Sequence, residues 1–233
     1  MPPIVYTRTC SFSPPAGLLE RNRIVSPQED SPAASAYRML RTQVLQRMDV
    51  NGWRSLALFS PRATDGKTTT AVNLALALAN DRAHTVVLVE LDLRKPGIAE
   101  RFGLHPKHGI DDALASGVAL EDCLYHPQGF DRLVLLPARS PLANSSEWLA
   151  GERCAQLVTE LRNRYTDRIL LFDLPPVLDA DDALAFAPRV EAGLVVVAEG
   201  RTRRADLVRT IETLHRTPLV GTVLNRSSGT MGL

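Results

Sequence analysis

The chain has 233 residues, a formal net charge of +1, 45% apolar side chains and three cysteines. Its length suits one large domain, and its near-neutral charge offers no bulk attraction to nucleic acid or anionic lipid. No apolar run reaches the ~20 residues of a membrane span, residues 1–30 hold no signal-peptide core, and Cys10, Cys123 and Cys154 lie too far apart for a metal site. A reducing, cytoplasmic setting follows as the expectation, with no direct membrane insertion.

Residues 1–33 carry Pro2, Pro3, Pro14, Pro15, Pro27 and Pro32 among mixed polar residues and read as a flexible N-terminal arm. Over 34–48, Tyr37, Leu40, Val44 and Met48 recur near helical spacing, which predicts an N-terminal helix. Beyond it strand and helix alternate. Strands are predicted at 54–60, 85–91, 132–137, 168–173, 193–198 and 219–224, and helices at 67–80, 109–117, 151–165, 180–188 and 203–216. Asn144-Ser145-Ser146-Glu147 before Trp148 and Leu149 reads as a capped short helix that buries an aromatic. This alternation argues for an α/β fold, a mostly parallel sheet with helices on both faces. The main domain is expected to span 34–226, leaving 227–233 as a short tail.

Between the first predicted strand and the helix at 67–80 stands Ser60-Pro61-Arg62-Ala63-Thr64-Asp65-Gly66-Lys67-Thr68-Thr69-Thr70. A Gly-Lys-Thr at such a junction is the core of a phosphate-binding loop. Backbone N–H groups of residues 64–69 and the helix N-terminus face an anion, Lys67 reaches the outer phosphates, and Thr68 offers its hydroxyl to Mg²⁺. Pro61 replaces the first glycine of the general pattern, and Thr64 stands where a second would ease a tight turn.

The next strand, Val86-Val87-Leu88-Val89, closes on Glu90, Asp92 and Arg94, and the strand Ile169-Leu170-Leu171-Phe172 closes on Asp173-Leu174-Pro175-Pro176. Continuous apolar runs suit strands buried on both faces, and ligands of open α/β sheets bind beyond the carboxyl ends of strands. Glu90 and Asp92, two apart, point to one side of an extended chain. Arg201, Arg203 and Arg204 follow a later strand and read as a solvated helix start. Asn225 ends the last strand, as an adenine reader or a turn residue. The five histidines show no ligand spacing and read as surface or loop residues.

The Gly-Lys-Thr loop, the Glu-x-Asp-x-Arg strand end and the apolar-Asp-x-Pro-Pro strand end, in that order, resemble the three Walker-type motifs of bacterial tyrosine kinases. Those are P-loop proteins tied to capsule and exopolysaccharide synthesis. Residues 31–42 (Ser31 to Thr42) are similar to that family's N-terminal helix, with Arg38 and Arg41 matching and Ser35 in place of its opening Glu. Glu90 stands where the family has Asp, and residues 225–233 hold no tyrosine, so phosphorylation of a tyrosine tail is not expected.

The resemblance implies a P-loop fold that transfers the γ-phosphate of Mg·ATP to tyrosine. Lys67 would stabilise the transferring group, and Thr68, Glu90, Asp92 and Asp173 would hold the metal, Glu90 or Asp92 serving otherwise as base. Thr64, Asp65, Gly66, Lys67, Thr68, Thr69 and Arg94 would bind nucleotide. It also implies a partner, the cytoplasmic tail of a membrane polysaccharide co-polymerase, which would keep the chain peripheral at the inner membrane, with a homo-oligomer possible and no nucleic acid. Of the four tyrosines, Tyr37 reads as packing, Tyr125 and Tyr165 as partly buried, and Tyr6 as the accessible acceptor. Two alternatives stay open. One is an ATP-binding regulator of polysaccharide export with little kinase activity. The other is a ParA/MinD-type ATPase, whose signature lysine is Arg62 here.

Overall fold

A computed structural model of the chain describes residues 9–81, 83–164 and 168–227. In chain order its elements are β1 (Cys10–Phe12), α1 (Leu18–Arg21), α2 (Pro32–Asn51), β2 (Ser55–Phe59), α3 (Lys67–Ala79), β3 (Thr85–Glu90), α4 (Ile98–Phe102) and α5 (Ile110–Ala115). There follow β4 (Tyr125–Pro127), β5 (Leu133–Leu136), α6 (Ser145–Ala150), α7 (Glu152–Asn163), β6 (Arg168–Asp173), α8 (Asp182–Phe186), β7 (Ala192–Ala198), α9 (Arg204–Thr213) and β8 (Leu219–Asn225). The strands form one sheet in the order β1-β4-β5-β3-β6-β2-β7-β8, parallel throughout except where β4 meets β5.

Side-chain alternation divides the apolar strand residues between two cores. Ala57, Phe59, Val87, Val89, Leu170, Phe172, Val195 and Val197 face the layer that holds α5, α6, α7 and α8. Their neighbours Leu56, Leu58, Val86, Leu88, Ile169, Leu171, Leu194 and Val196 face α2, α3 and α4. Burial on both faces is why the central strands read as unbroken apolar runs. Helix α3 lies between the sheet and α2, which explains why nearly all of its residues are buried. Helix α2 begins at Pro32, one residue after Ser31, whose Oγ accepts from the Ala34 N–H at 3.2 Å. Proline at the first helical position lacks a donor that would have no partner there, so the helix starts earlier than apolar spacing predicts.

The reading of 1–33 as a flexible arm does not hold for the described part. Strand β1 adds to the sheet edge beside β4. Asn73 on α3 accepts from the Val25 N–H at 2.8 Å and donates to the Arg23 carbonyl at 3.0 Å, and Ile24 is buried between them. Proline content signals missing backbone donors, and here side chains from the domain supply the partners instead. Elements β1, α1, α4 and β4 are too short for periodicity to reveal. In α6, Leu149 is fully buried and Trp148 half-buried, but the Asn144 side chain makes no capping bond; its backbone adopts φ 52° instead.

Candidate active site

The sheet order brings the three motifs together. Strands β3, β6 and β2 are neighbours, with Glu90 paired to Asp173 and Leu58 to Asp173 in the register. The loop after β2, the acids after β3 and the acid ending β6 therefore meet at one sheet edge. There a cleft of about 400 Å³ is lined by loop residues 62–69 together with Asp92, Arg94, Pro175 and Asp179.

Lys67 opens α3 and is only 5% exposed. Its Nζ lies 2.6 Å from Asp173 Oδ1 and 3.8 Å from Asp92 Oδ2. Asp173 is fully buried, and its Oδ2 has no hydrogen-bond partner. Burial pushes the Asp92 carboxyl up from its usual range, the charge of Lys67 pulls it down, and Asp173 pushes it up again. Asp92 Oδ1 also accepts from the Lys95 N–H at 3.1 Å.

Glu90 takes a different position. Its Oε2 accepts from the N–H groups of Gly97 and Ile98, each at 2.7 Å, and Oε1 has no partner. Burial first, and then the charge of Asp173, push its carboxyl up to about 8, against the pull of those two N–H donors and Lys67. Glu90 ends β3, so the alternation that would put Asp92 on its side stops there; Asp92 lines the cleft and Glu90 does not. Arg94 also reaches the cleft. Its Nε donates to Asp182 Oδ2 at 2.8 Å, and Asp182, fully buried, accepts in addition from Ser145 Oγ.

The loop departs from helix and strand geometry at two residues. Gly66 has φ 91° and Thr64 has φ 73°, the left-handed region that favours glycine. Thr64 thus adopts a left-handed conformation that glycine takes without steric cost. Asp65 is buried, its Oδ2 accepting from the Arg62 N–H at 3.0 Å and its Oδ1 from Thr202 Oγ1 at 2.9 Å. Neither Thr202 nor Asp182 stands in a motif, and Ser145, read as part of a helix cap, gave no local signal of its bond to Asp182. Asn225 uses both ends of its amide internally, donating to the Asp65 carbonyl and accepting from the Arg226 N–H. Arg201, Arg203 and Arg204 are exposed and do not line the cleft. His126 is buried in β4 with Nδ1 3.0 Å from the Leu133 carbonyl, unlike the surface position expected of it.

No protein-family model matches the chain. It is 26% identical over 209 residues to the tyrosine-protein kinase YwqD of Bacillus subtilis (strain 168), covering 89% of this chain and 86% of that protein. It is 30% identical over 214 residues to the succinoglycan biosynthesis transport protein ExoP of Rhizobium meliloti (strain 1021), covering 88% of this chain and 26% of ExoP. The crystal structure of the chimerical protein CapA2B2 superposes with a TM-score of 0.82 at 25% identity, covering 94% of each chain. The chain belongs to the bacterial tyrosine-kinase family of P-loop proteins. Membership of this kinase family implies a nucleotide-binding site.

Within that family the chain spans most of YwqD but about a quarter of ExoP. At the position of the family's opening Glu, the Ser35 hydroxyl accepts from Arg38 Nη2 at 2.7 Å, while Arg38 Nη1 donates to the Pro27 and Glu29 carbonyls before α2, so that arginine is engaged within the chain. Tyr37 turns its hydroxyl to the side chains of Thr70 and Asn73, and burial raises its pKa above the usual value. Tyr125 is buried, donating to the His108 carbonyl and accepting from the His108 N–H. Tyr6 and Tyr165 lie outside the described residues. Among the described residues no helix is long and apolar enough to cross a membrane.

Proposed function

We propose that the chain transfers the γ-phosphate of Mg·ATP to tyrosine side chains and acts in capsule or exopolysaccharide biosynthesis. The observation that carries this reading is the meeting of Lys67, Asp92 and Asp173 at the start of α3, beside a loop whose backbone is bent as an anion cradle. Three features fit a divalent cation there: the unpartnered Asp173 Oδ2, the Asp92 carboxylate in the cleft, and the Thr68 hydroxyl in the cleft wall. Thr68, Asp92 and Asp173 would hold Mg²⁺, directly or through water, and the ion would neutralise charge between the outer phosphates.

The remaining work falls to the chain itself. Residues 64–69 direct N–H groups at the phosphates, and Lys67 leaves Asp173 to meet the charge on the transferring group. Arg94, steadied by Asp182, supplies a second cation at the mouth of the cleft. The acceptor oxygen forms its bond to phosphorus as the bond to ADP breaks, and Asp92, where it meets the cation only through water, would take the tyrosine proton. Glu90 acts beneath the cleft, holding the N–H groups of Gly97 and Ile98 so that the segment after Arg94 keeps its place.

With Tyr37 and Tyr125 engaged, the acceptor belongs to a partner or to residues outside the described segments. The partner chemistry that fits is the cytoplasmic tail of a membrane polysaccharide co-polymerase, since ExoP, named as a transport protein, is far longer than this chain while YwqD is of similar length. That partner would hold the chain at the membrane. The test is phosphotyrosine mapping by mass spectrometry after incubation with Mg·ATP, with and without such a tail. Phosphotyrosine that disappears in Lys67→Met supports the kinase reading. ATP binding without phosphotyrosine would favour a nucleotide-dependent regulator, a second reading to which the strained Thr64 lends weight.

A further inference from the structure

We propose that Thr202 and Arg226, at the ends of β7 and β8, are positioning residues that hold the phosphate loop in its anion-binding shape, which its own sequence does not favour. The inference rests on the nucleotide reading of that loop. The loop lacks the glycine that a left-handed turn at position 64 calls for, and Thr64 is β-branched at φ 73°. A strained residue of this kind persists only where its surroundings over-determine it.

The surroundings do so from outside the loop. Arg226 Nη2 donates to the Thr64 carbonyl at 2.9 Å, and Asn225 Nδ2 donates to the Asp65 carbonyl at 2.9 Å. A trans peptide plane points its C=O and the following N–H in opposite directions. Arg226 gripping Thr64 O therefore aims the Asp65 N–H the other way, and Asn225 gripping Asp65 O does the same for the Gly66 N–H. Those are two of the donors that a phosphate would meet.

Thr202 secures the side chain between them. Its Oγ1 accepts from the Ala198 N–H at 2.8 Å and donates to Asp65 Oδ1 at 2.9 Å. The other Asp65 oxygen accepts from the Arg62 N–H, closing the loop on itself. Asp179 takes the Ala63 N–H at 3.1 Å from the opposite side. Gly66 fits because a Cβ there would lie 2.0 Å from Asn225 Nδ2. The loop is thus shaped by β7 and β8, elements more than a hundred residues away in sequence.

The experiment compares Thr202→Val, Thr202→Ser and Arg226→Ala with the wild-type full chain in two ways. Amide hydrogen exchange at Arg62 and Ala63, the hydrogen-bonded donors of the loop, is followed without nucleotide, and Mg·ATP affinity is measured by calorimetry. Thr202→Val and Arg226→Ala are expected to speed exchange at those amides about tenfold and to weaken Mg·ATP about five- to tenfold, while Thr202→Ser, which keeps the hydroxyl, stays near wild type. Unchanged exchange in Thr202→Val and Arg226→Ala overturns the proposal. So does faster exchange with unchanged Mg·ATP affinity, and so does damage in Thr202→Ser equal to that in Thr202→Val. If the wild type binds no Mg·ATP yet exchange responds as expected, the functional reading fails and the brace on the loop stands.

Discussion

The two halves of the cleft are built in contrasting ways. On the β3–β6 side, Lys67, Asp173 and Glu90 are buried titratable groups, each the first or last residue of a regular element. On the β7–β8 side, residues 62–65 belong to no element, are mostly exposed, and take their shape from side chains borrowed from elsewhere. The first half concentrates charge where the dielectric is low and each interaction is strong. The second aims backbone dipoles. The difference teaches that chemical groups and geometry come from separate parts of the fold, and the two should fail differently when mutated.

The largest effect is expected on the buried side. Lys67→Met should lower the rate of phosphoryl transfer by about 10²-fold or more. It also leaves Asp173 buried without its counter-charge, so the variant should lose about 3 kcal/mol of stability in urea denaturation. A variant as stable as wild type would mean that the 2.6 Å pair contributes little, which would erase half of the contrast. Asp182→Asn, which weakens the hold on Arg94, should raise KM for ATP about tenfold with kcat changed less, as steady-state kinetics would show.

A pH titration sharpens the comparison further. Glu90 has its pKa raised in the folded chain, to about 8 against 4.5 as the ordinary value, so its contribution to stability is fully present below the unfolded value and is lost as pH rises through the folded one. In metal- and nucleotide-free buffer, denaturation midpoints should fall between pH 5 and 8, and Glu90→Gln should flatten that slope. A slope that survives the substitution would move its origin to another group. The smallest effect belongs to the exposed half. Thr64→Gly removes left-handed strain but adds freedom to the unfolded chain, so stability should change by no more than about 1 kcal/mol, in the stabilising direction. A large loss would show that the threonine side chain supports the loop through contacts as well as tolerating its turn.

Legibility in the sequence follows the same division. The six strands predicted from apolar runs are present; burial on both faces leaves β2, β3, β5, β6 and β7 an unbroken signature, the edge strand β8 is buried mainly at Val220, and β1 and β4 are three residues each and leave no signature. Lys67, Asp92 and Asp173 were readable because strand order places motif residues at one edge whatever the loops do. Thr64 was readable as an anomaly, a threonine in a glycine's place, and its φ of 73° gives that anomaly its physical content. Thr202, Asp182, Ser145 and Arg226 were not readable, since their roles depend on contacts across 37 to 162 residues of chain that no local pattern encodes. Glu90 shows a subtler limit: its charge was evident, but its direction depended on where β3 ends.

The central claim is that the buried half of the cleft moves a phosphoryl group from ATP to a tyrosine. The most direct measurement follows the γ-phosphate of labelled Mg·ATP in wild type and Lys67→Met, with a tyrosine-bearing partner tail present. The account predicts label on tyrosine in the wild type and none in the variant. Label released only as inorganic phosphate, or tyrosine labelled equally in both proteins, would contradict it.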